Sequence, residues 1–274
     1  MFRAKIVVYC SVDPFLSSRG KFLHGFERFQ AELDEREIPC IWLSSRSRLQ
    51  LDDPRRRLSH TEPFIAEDGC AVYLPEDYFH LKSTKTVRLG RFTTIPVAQQ
   101  LPAAADALEA LSEESGVPVV PLRSLSPREL SQNIGLPNHE AEVVRQRDFD
   151  ELFFFAGASD ADIARFRSLA ERKNLSLREH GVLWSLALGA DFRRCIRELG
   201  ELFDRSFHSH ANRFAVAPAS ASESIFPACD RGIRLSTSTK VVSSQAPASL
   251  RFAESAITAP DLWKTVLAAI DARP

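Results

Sequence analysis

Two short, unbroken apolar runs, joined by one amphipathic helix and each ending in a polar loop, constrain this chain more than any other feature. Residues 5–10 (KIVVYC) and 38–43 (IPCIWL) are rich in β-branched and aromatic side chains and show no polar alternation. Such runs are strands covered on both faces. Between them, residues 21–36 place Phe22, Leu23, Phe26, Phe29 and Leu33 at helical spacing among charges. Strand, helix, parallel strand is the unit of a doubly wound sheet. Ligands of such sheets meet the carboxyl ends of the strands. The loops opening at Ser11-Val12-Asp13-Pro14 and at Ser44-Ser45-Arg46 are therefore expected side by side over one crevice.

Residues 63–74 read as two short strands around an Asp68-Gly69 turn. The middle third changes character. Residues 101–115 form an Ala/Leu-rich helix. Ser126 caps another helix, with Pro127 at its first position and Glu129 completing a capping box. A charged helix over 139–148 runs into a strand at 152–155, an amphipathic helix follows over 159–173, and 183–188 is a strand. This block, residues 85–189, is expected to be an inserted α+β layer. Residues 1–84 and 190–274 would make the sheet domain, which resumes with a helix over 191–204 and short strands at 214–217 and 233–235. The Ser/Ala/Thr-rich stretches 217–224 and 236–249 read as loops. The expected fold class is α/β, a doubly wound, Rossmann-like parallel core with an inserted α+β cap.

With 35 basic against 36 acidic residues, no global charge favours nucleic acid or an anionic membrane. No stretch approaches the roughly 20 apolar residues of a membrane span, and the opening apolar run is too short for a signal peptide. The five cysteines are scattered, without a CxxC pair, mostly beside apolar runs. They read as small buried hydrophobes of a reducing compartment, the cytoplasm. The seven histidines, His80 among them, have no metal-site spacing, His208-Ser209-His210 reads as a solvated loop, and Asp52-Asp53-Pro54-Arg55-Arg56-Arg57 reads as an exposed turn and helix end.

The segment IPCIWLSSRSR, followed by EPFIAEDGCAVYLPEDYF, resembles the mannosyl-3-phosphoglycerate phosphatases of the haloacid dehalogenase (HAD) superfamily, in which a strand leads to Ser-Ser-Lys-Thr and then to PFIxENGxAVxxPxxYF. The stretch SLSPRELSQNIGLPNHEAEVVRQRDFDELFFF is similar to the family's cap. The resemblance implies a HAD core with a Cof-type cap. It also implies a set of parts: an aspartate nucleophile, a second aspartate as acid and base, a phosphate-binding hydroxyl, a charge-stabilising lysine, and late carboxylates that hold magnesium.

Set against that pattern, most of the parts are replaced. Ser11 stands at the nucleophile position and Asp13 is the one retained motif acid. Pro14 and Phe15 replace the Gly and Thr that follow. Ser44 matches the phosphate-binding hydroxyl, with Ser45 and Arg46 completing an anion-friendly loop. Phe192 replaces the lysine, leaving Arg193 or Arg194 as the nearest cations. The late acidic loop aligns with Ala217-Pro218-Ala219-Ser220-Ala221-Ser222. In the cap, Arg145, Arg147, Asp148 and Glu151 fall in the family's substrate-facing stretch, and His180-Gly181 at a turn before a substrate-facing strand. One carboxylate among neutral neighbours binds Mg²⁺ weakly. The expectation is therefore no metal site and no cofactor, and a degenerate phosphatase, a pseudoenzyme, that takes a small anionic or phosphorylated ligand or a protein partner. Two alternatives stay open: metal-independent chemistry built on Asp13, Ser11 and Ser44, and weak Mg-dependent hydrolysis of a sugar-phosphoglycerate.

Overall fold

The computed structural model describes residues 5–79, 86–237 and 251–272. His80 and most of the 236–249 loop stretch lie outside them. In chain order the elements are β1 (Ile6–Ser11), α1 (Phe26–Glu35), β2 (Cys40–Leu43), α2 (Arg48–Arg57), β3 (Phe64–Ala66), β4 (Ala71–Leu74), β5 (Val87–Leu89), β6 (Phe92–Pro96), α3 (Leu101–Ser115), β7 (Val119–Pro121), α4 (Pro127–Ile134), α5 (Asn138–Val144), β8 (Glu151–Phe155), α6 (Asp160–Arg172), β9 (Ser176–His180), β10 (Leu183–Ala187), α7 (Phe192–Phe207), β11 (Asn212–Pro218), β12 (Arg231–Ser236), β13 (Phe252–Ala256) and α8 (Leu262–Asp271).

The described strands form two sheets. The larger has the order β13-β12-β11-β1-β2-β3-β4-β6-β5. It is parallel from β13 to β3 and antiparallel beyond. Side chains alternating along β1 feed both faces. Val8 and Cys10 join Phe15, Phe26, Phe29, Trp42 and the apolar face of α8. Val7 and Tyr9 join Ile41 and the α7 residues Ile196, Leu199 and Phe203. A sheet covered on both faces explains why β1 and β2 read as continuous apolar runs. The smaller sheet, β7-β8-β10-β9, is antiparallel. One of its faces packs on α3 and α6 through Leu108, Leu111, Phe153, Phe166 and Leu169. The other carries α4 and α5 through Leu130, Ala141 and Leu152. The Ser126 capping box forms as the sequence requires.

Four sequence expectations change. The helix expected over 21–36 begins only at Phe26, and Phe22 instead bridges Leu16. Residues 87–96 form β5 and β6, which extend the large sheet beside β4, so the smaller sheet and its helices begin only after Pro96. The charged helix expected over 139–148 ends at Val144. The Asp52–Arg57 run is not an exposed turn: α2 runs through Pro54, and Arg55 is buried. All five cysteines are buried and free. Among the described residues no helix is long and apolar enough to cross a membrane.

The Glu67-Asp68-Gly69 turn between β3 and β4 is the tightest point of the fold. All three residues have positive φ, and Gly69 (φ +88°) lies so close to the start of α7 that an added Cβ would sit 2.4 Å from the Phe192 backbone nitrogen. Gly69→Ala is expected to cost about 2–3 kcal/mol in urea unfolding, through backbone strain and the displacement of α7.

Candidate functional site

β1 lies between β2 and β11, and Ser11 at its end is in register with Leu43. The chain then enters a 3-10 turn that begins at Asp13. The Ser44 hydroxyl donates to Asp13 Oδ1. The Ser45 N–H donates to Asp13 Oδ2 at 2.7 Å. Arg46 Nε stands 3.8 Å from Oδ1. Ser44 Oγ in turn accepts the Arg46 N–H at 3.1 Å, while Arg46 Nη2 donates to the carbonyls of Leu16 (2.9 Å) and Ser17 (2.8 Å). Burial lowers the Arg46 pKa against the charge of Asp13. The structure thus brings Asp13, Ser44, Ser45 and Arg46 together at one crevice, with Ser11 at the neighbouring strand end. The Ser11 hydroxyl has no partner among the described residues.

Arg193, in the first turn of α7, donates from Nη2 to the Glu223 carbonyl at 2.5 Å, in the loop that follows β11. Arg145 lies away in the cap, bonded to the Leu125 carbonyl (3.0 Å) and to Glu142. Arg147 is the residue that joins the layers. It donates from Nη2 to the Ser45 carbonyl (2.7 Å), from Nη1 to Gln50 (3.0 Å), and from Nε and Nη2 to the two oxygens of Asp150 (2.5 and 2.7 Å). Burial opposes its charge, but Asp150 and Glu67 override this and hold the guanidinium above its ordinary pKa. Asp148 is held by Arg48 and Tyr73, and Glu151 by Arg123.

The sequence marks Asp68-Gly69 as a turn but offers no chemical role for Glu67 or Asp68. Glu67 is fully buried, and its carboxylate accepts the backbone N–H groups of Asp148, Phe149 and Asp150 at 2.8–3.2 Å. Burial pushes its pKa up to about 8 against the charge of Arg147. Asp68 faces the cap, with His180 Nε2 2.9 Å from its Oδ2. Burial pulls the His180 pKa down, and the bond to Asp68 more than restores it. The pair spans the gap between the β3–β4 turn and the end of β9. Elsewhere, α2, the loop around Gly20 and α5 enclose a cleft of about 370 Å³ with Arg19, Arg46, Arg57 and His139 on its walls and Asp53 and Glu140 as its acids.

The donors around Asp13 do not fit magnesium. Both of its oxygens already accept from Ser44 and Ser45, a guanidinium stands beside them, and the neighbouring strand ends offer Ser11 and the Ala217-Pro218-Ala219 stretch. Mg²⁺ requires a near-octahedral set of hard oxygens and takes its affinity from anionic charge.

No protein-family model matches the chain. It is 24% identical over 204 residues to a glucosyl-3-phosphoglycerate/mannosyl-3-phosphoglycerate phosphatase of Methanococcoides burtonii, covering 74% of this chain and 75% of that one. It is 22% identical over 178 residues to the phosphatase of the same description from Persephonella marina, covering 64% of each. Among solved structures, a HAD-superfamily phosphatase of Bacteroides thetaiotaomicron superposes with TM-score 0.61 at 16% identity over 97% of this chain and 95% of that one. A haloacid dehalogenase-like hydrolase of B. subtilis gives 0.60 at 14%, over 94% and 98%. The chain has the haloacid dehalogenase fold. It resembles the mannosyl-3-phosphoglycerate phosphatases among the proteins that share it. In HAD terms, the large sheet is the core and the four-stranded sheet with its helices is the cap. Arg147, Glu67 and the Asp68–His180 pair all lie where core and cap meet.

Proposed function

We propose that this HAD-fold chain no longer hydrolyses phosphate and instead holds a small anionic or phosphorylated ligand between core and cap. The state of Asp13 supports this. The one acid retained from the resemblance is tied down by a hydroxyl, a backbone N–H and a nearby guanidinium, and among the described residues no group of three or more metal-ligating side chains gathers. Such a site lacks the charge that would gather a divalent cation and shield an attacking oxygen from a phosphoester. What remains is cationic: Arg46 at the crevice and Arg19 and Arg57 along the adjoining cleft. Guanidinium groups suit phosphate and carboxylate.

Calorimetry with Mg²⁺, and phosphate release from mannosyl- and glucosyl-3-phosphoglycerate, test the proposal together. The expected result is no magnesium heat and release at the no-enzyme background, while the same compounds raise the melting temperature. Magnesium-dependent turnover that disappears in Asp13→Asn would overturn it. The unpartnered Ser11 hydroxyl favours a second reading, metal-independent chemistry at the same crevice. That reading requires turnover that survives a chelator and is abolished by Ser11→Ala.

A further inference from the structure

We infer that the chain carries a second anion site, on the rim of the large sheet opposite the crevice, where the buried guanidinium of Arg55 receives the phosphate group of a small phosphorylated molecule. The site lies at the amino-terminal end of β2, whose residue Cys40 accepts from His60 Nε2 at 2.8 Å. The crevice lies at the opposite, carboxyl end of the same strand. A pocket of about 380 Å³ opens there between the last turn of α2, the loop at Ser59–Thr61, the end of β4 and the start of β6.

Arg55 lines this pocket and is only 3% exposed. Its Nε donates to His60 Nδ1 at 3.2 Å and its Nη2 to the Glu62 carbonyl at 2.7 Å. Its Nη1 has no acceptor among the described residues. Both acceptors are uncharged. Burial and the charge of Arg55 hold His60 down to about 3, so it is neutral. Among the described residues no carboxylate forms an ion pair with Arg55. Asp52 is taken by Arg91 (2.5 Å), Asp53 by Arg56 and Arg57, and Glu62 by the Tyr78 hydroxyl. Two rings partly compensate the charge, with the guanidinium carbon 4.1 Å from the Phe64 centroid and 5.3 Å from that of Phe92. The carbonyl end of α2 helps as well. Burial, and then the charge of Arg91, still lower its pKa to about 10.

A buried cation with neutral partners and a spare donor edge is a costly arrangement that an anion relieves. The walls fit phosphate in particular. Ser59 and Thr61 bring hydroxyls, the guanidinium groups of Arg56 and Arg91 stand on the lining with their aspartate partners Asp53 and Asp52, and Glu76, the acid on the lining, is paired with Arg88 at 3.1 Å. Phosphate offers oxygens to the Arg55 edge and to both hydroxyls at once, which the two oxygens of a monocarboxylate cannot do.

The test is calorimetric titration of the full chain with inorganic phosphate and, separately, with acetate. The variants are Arg91→Glu, which places a carboxylate at the mouth, Arg55→Met, which removes the buried charge, and Arg46→Ala, which disables the crevice. Circular dichroism checks that each folds. The site predicts phosphate binding that persists in Arg46→Ala and weakens at least tenfold in Arg91→Glu and in any folded Arg55→Met, with acetate binding much more weakly. Phosphate binding lost in Arg46→Ala but unchanged in Arg91→Glu would assign all of it to the crevice and overturn the inference. So would the absence of phosphate binding, or equal affinity for acetate.

Discussion

Glu67→Ala is expected to destabilise the protein by about 3–5 kcal/mol, chiefly through buried backbone donors left without an acceptor. The Glu67 backbone N–H donates to the Arg46 carbonyl at 3.1 Å, tying the residue to the crevice loop. Its side chain collects three successive N–H groups at residues 148–150, where the cap chain turns back toward its sheet. Truncation leaves those donors buried without an acceptor, a penalty of about 1–3 kcal/mol each before relaxation. Where Glu67 is ionised, toward pH 8 and above, it also leaves Arg147 facing one carboxylate fewer. Glu67→Gln keeps one accepting oxygen but turns an NH₂ group toward another donor, so a loss of about 1–2 kcal/mol is expected. The pH dependence gives an independent check. Burial raises the Glu67 pKa from 4.5 to about 8. An acid whose pKa is higher folded than unfolded adds stability that is complete below the unfolded value and is lost as pH rises through the folded one. Wild-type urea midpoints should therefore decline between about pH 5 and pH 8, and Glu67→Gln should lack that part of the slope. A flat wild-type profile, or an alanine variant as stable as wild type, would exclude this role.

The legible parts of this molecule were those in which a local pattern and its tertiary consequence coincide. Continuous apolar runs at 5–10 and 38–43 require cover on both faces, and parallel pairing then aligns their ends, so the meeting of Asp13 with Ser44 and Ser45 follows from the order of elements. Ser126, Pro127 and Glu129 describe a helix start by local hydrogen bonding alone. Illegible features depended on what faces what. Arg55 sits in a run of alternating charge that reads as solvated, yet it turns inward because Phe64 and Phe92 present their ring faces there. β5 and β6 are short and flanked by polar residues, and only their pairing beside β4 places them in the core sheet. The strand β13 and helix α8 drew no expectation at all, although α8 sends Leu262, Val266 and Ile270 into the core. The EDG turn was recognised as a signature, but three consecutive positive φ angles and a carboxylate aimed at a backbone nest leave no periodic trace.

Arg147 shows how these two levels diverge, and its removal is the second large effect expected. Its place in a stretch similar to the phosphatase cap implies a hand on the ligand. In the folded chain its side chain is 3% exposed and bonded to Asp150, itself 1% exposed, to Gln50 and to the Ser45 carbonyl. A guanidinium so engaged has little left for a ligand. It carries the position of the cap to the crevice loop, because Asp150 opens the strand region of the cap and Ser45 holds Asp13. Arg147→Met removes the cation and leaves Asp150 buried and unpaired, at an expected cost of about 3–5 kcal/mol. Adding Asp150→Leu removes the stranded charge, and the double variant should recover most of that loss, since a buried pair exchanged for apolar side chains is often nearly neutral. The cycle should therefore give a coupling energy of about 2 kcal/mol or more by urea unfolding. Ligand affinity measured on the double variant then separates the two roles. If Arg147 positions the crevice loop, binding weakens modestly and Arg147→Lys rescues stability poorly, because an ammonium cannot reach Asp150, Gln50 and Ser45 in one plane. A single variant costing under about 1 kcal/mol while abolishing ligand binding would instead make Arg147 a direct contact, because a buried structural arginine cannot be lost that cheaply.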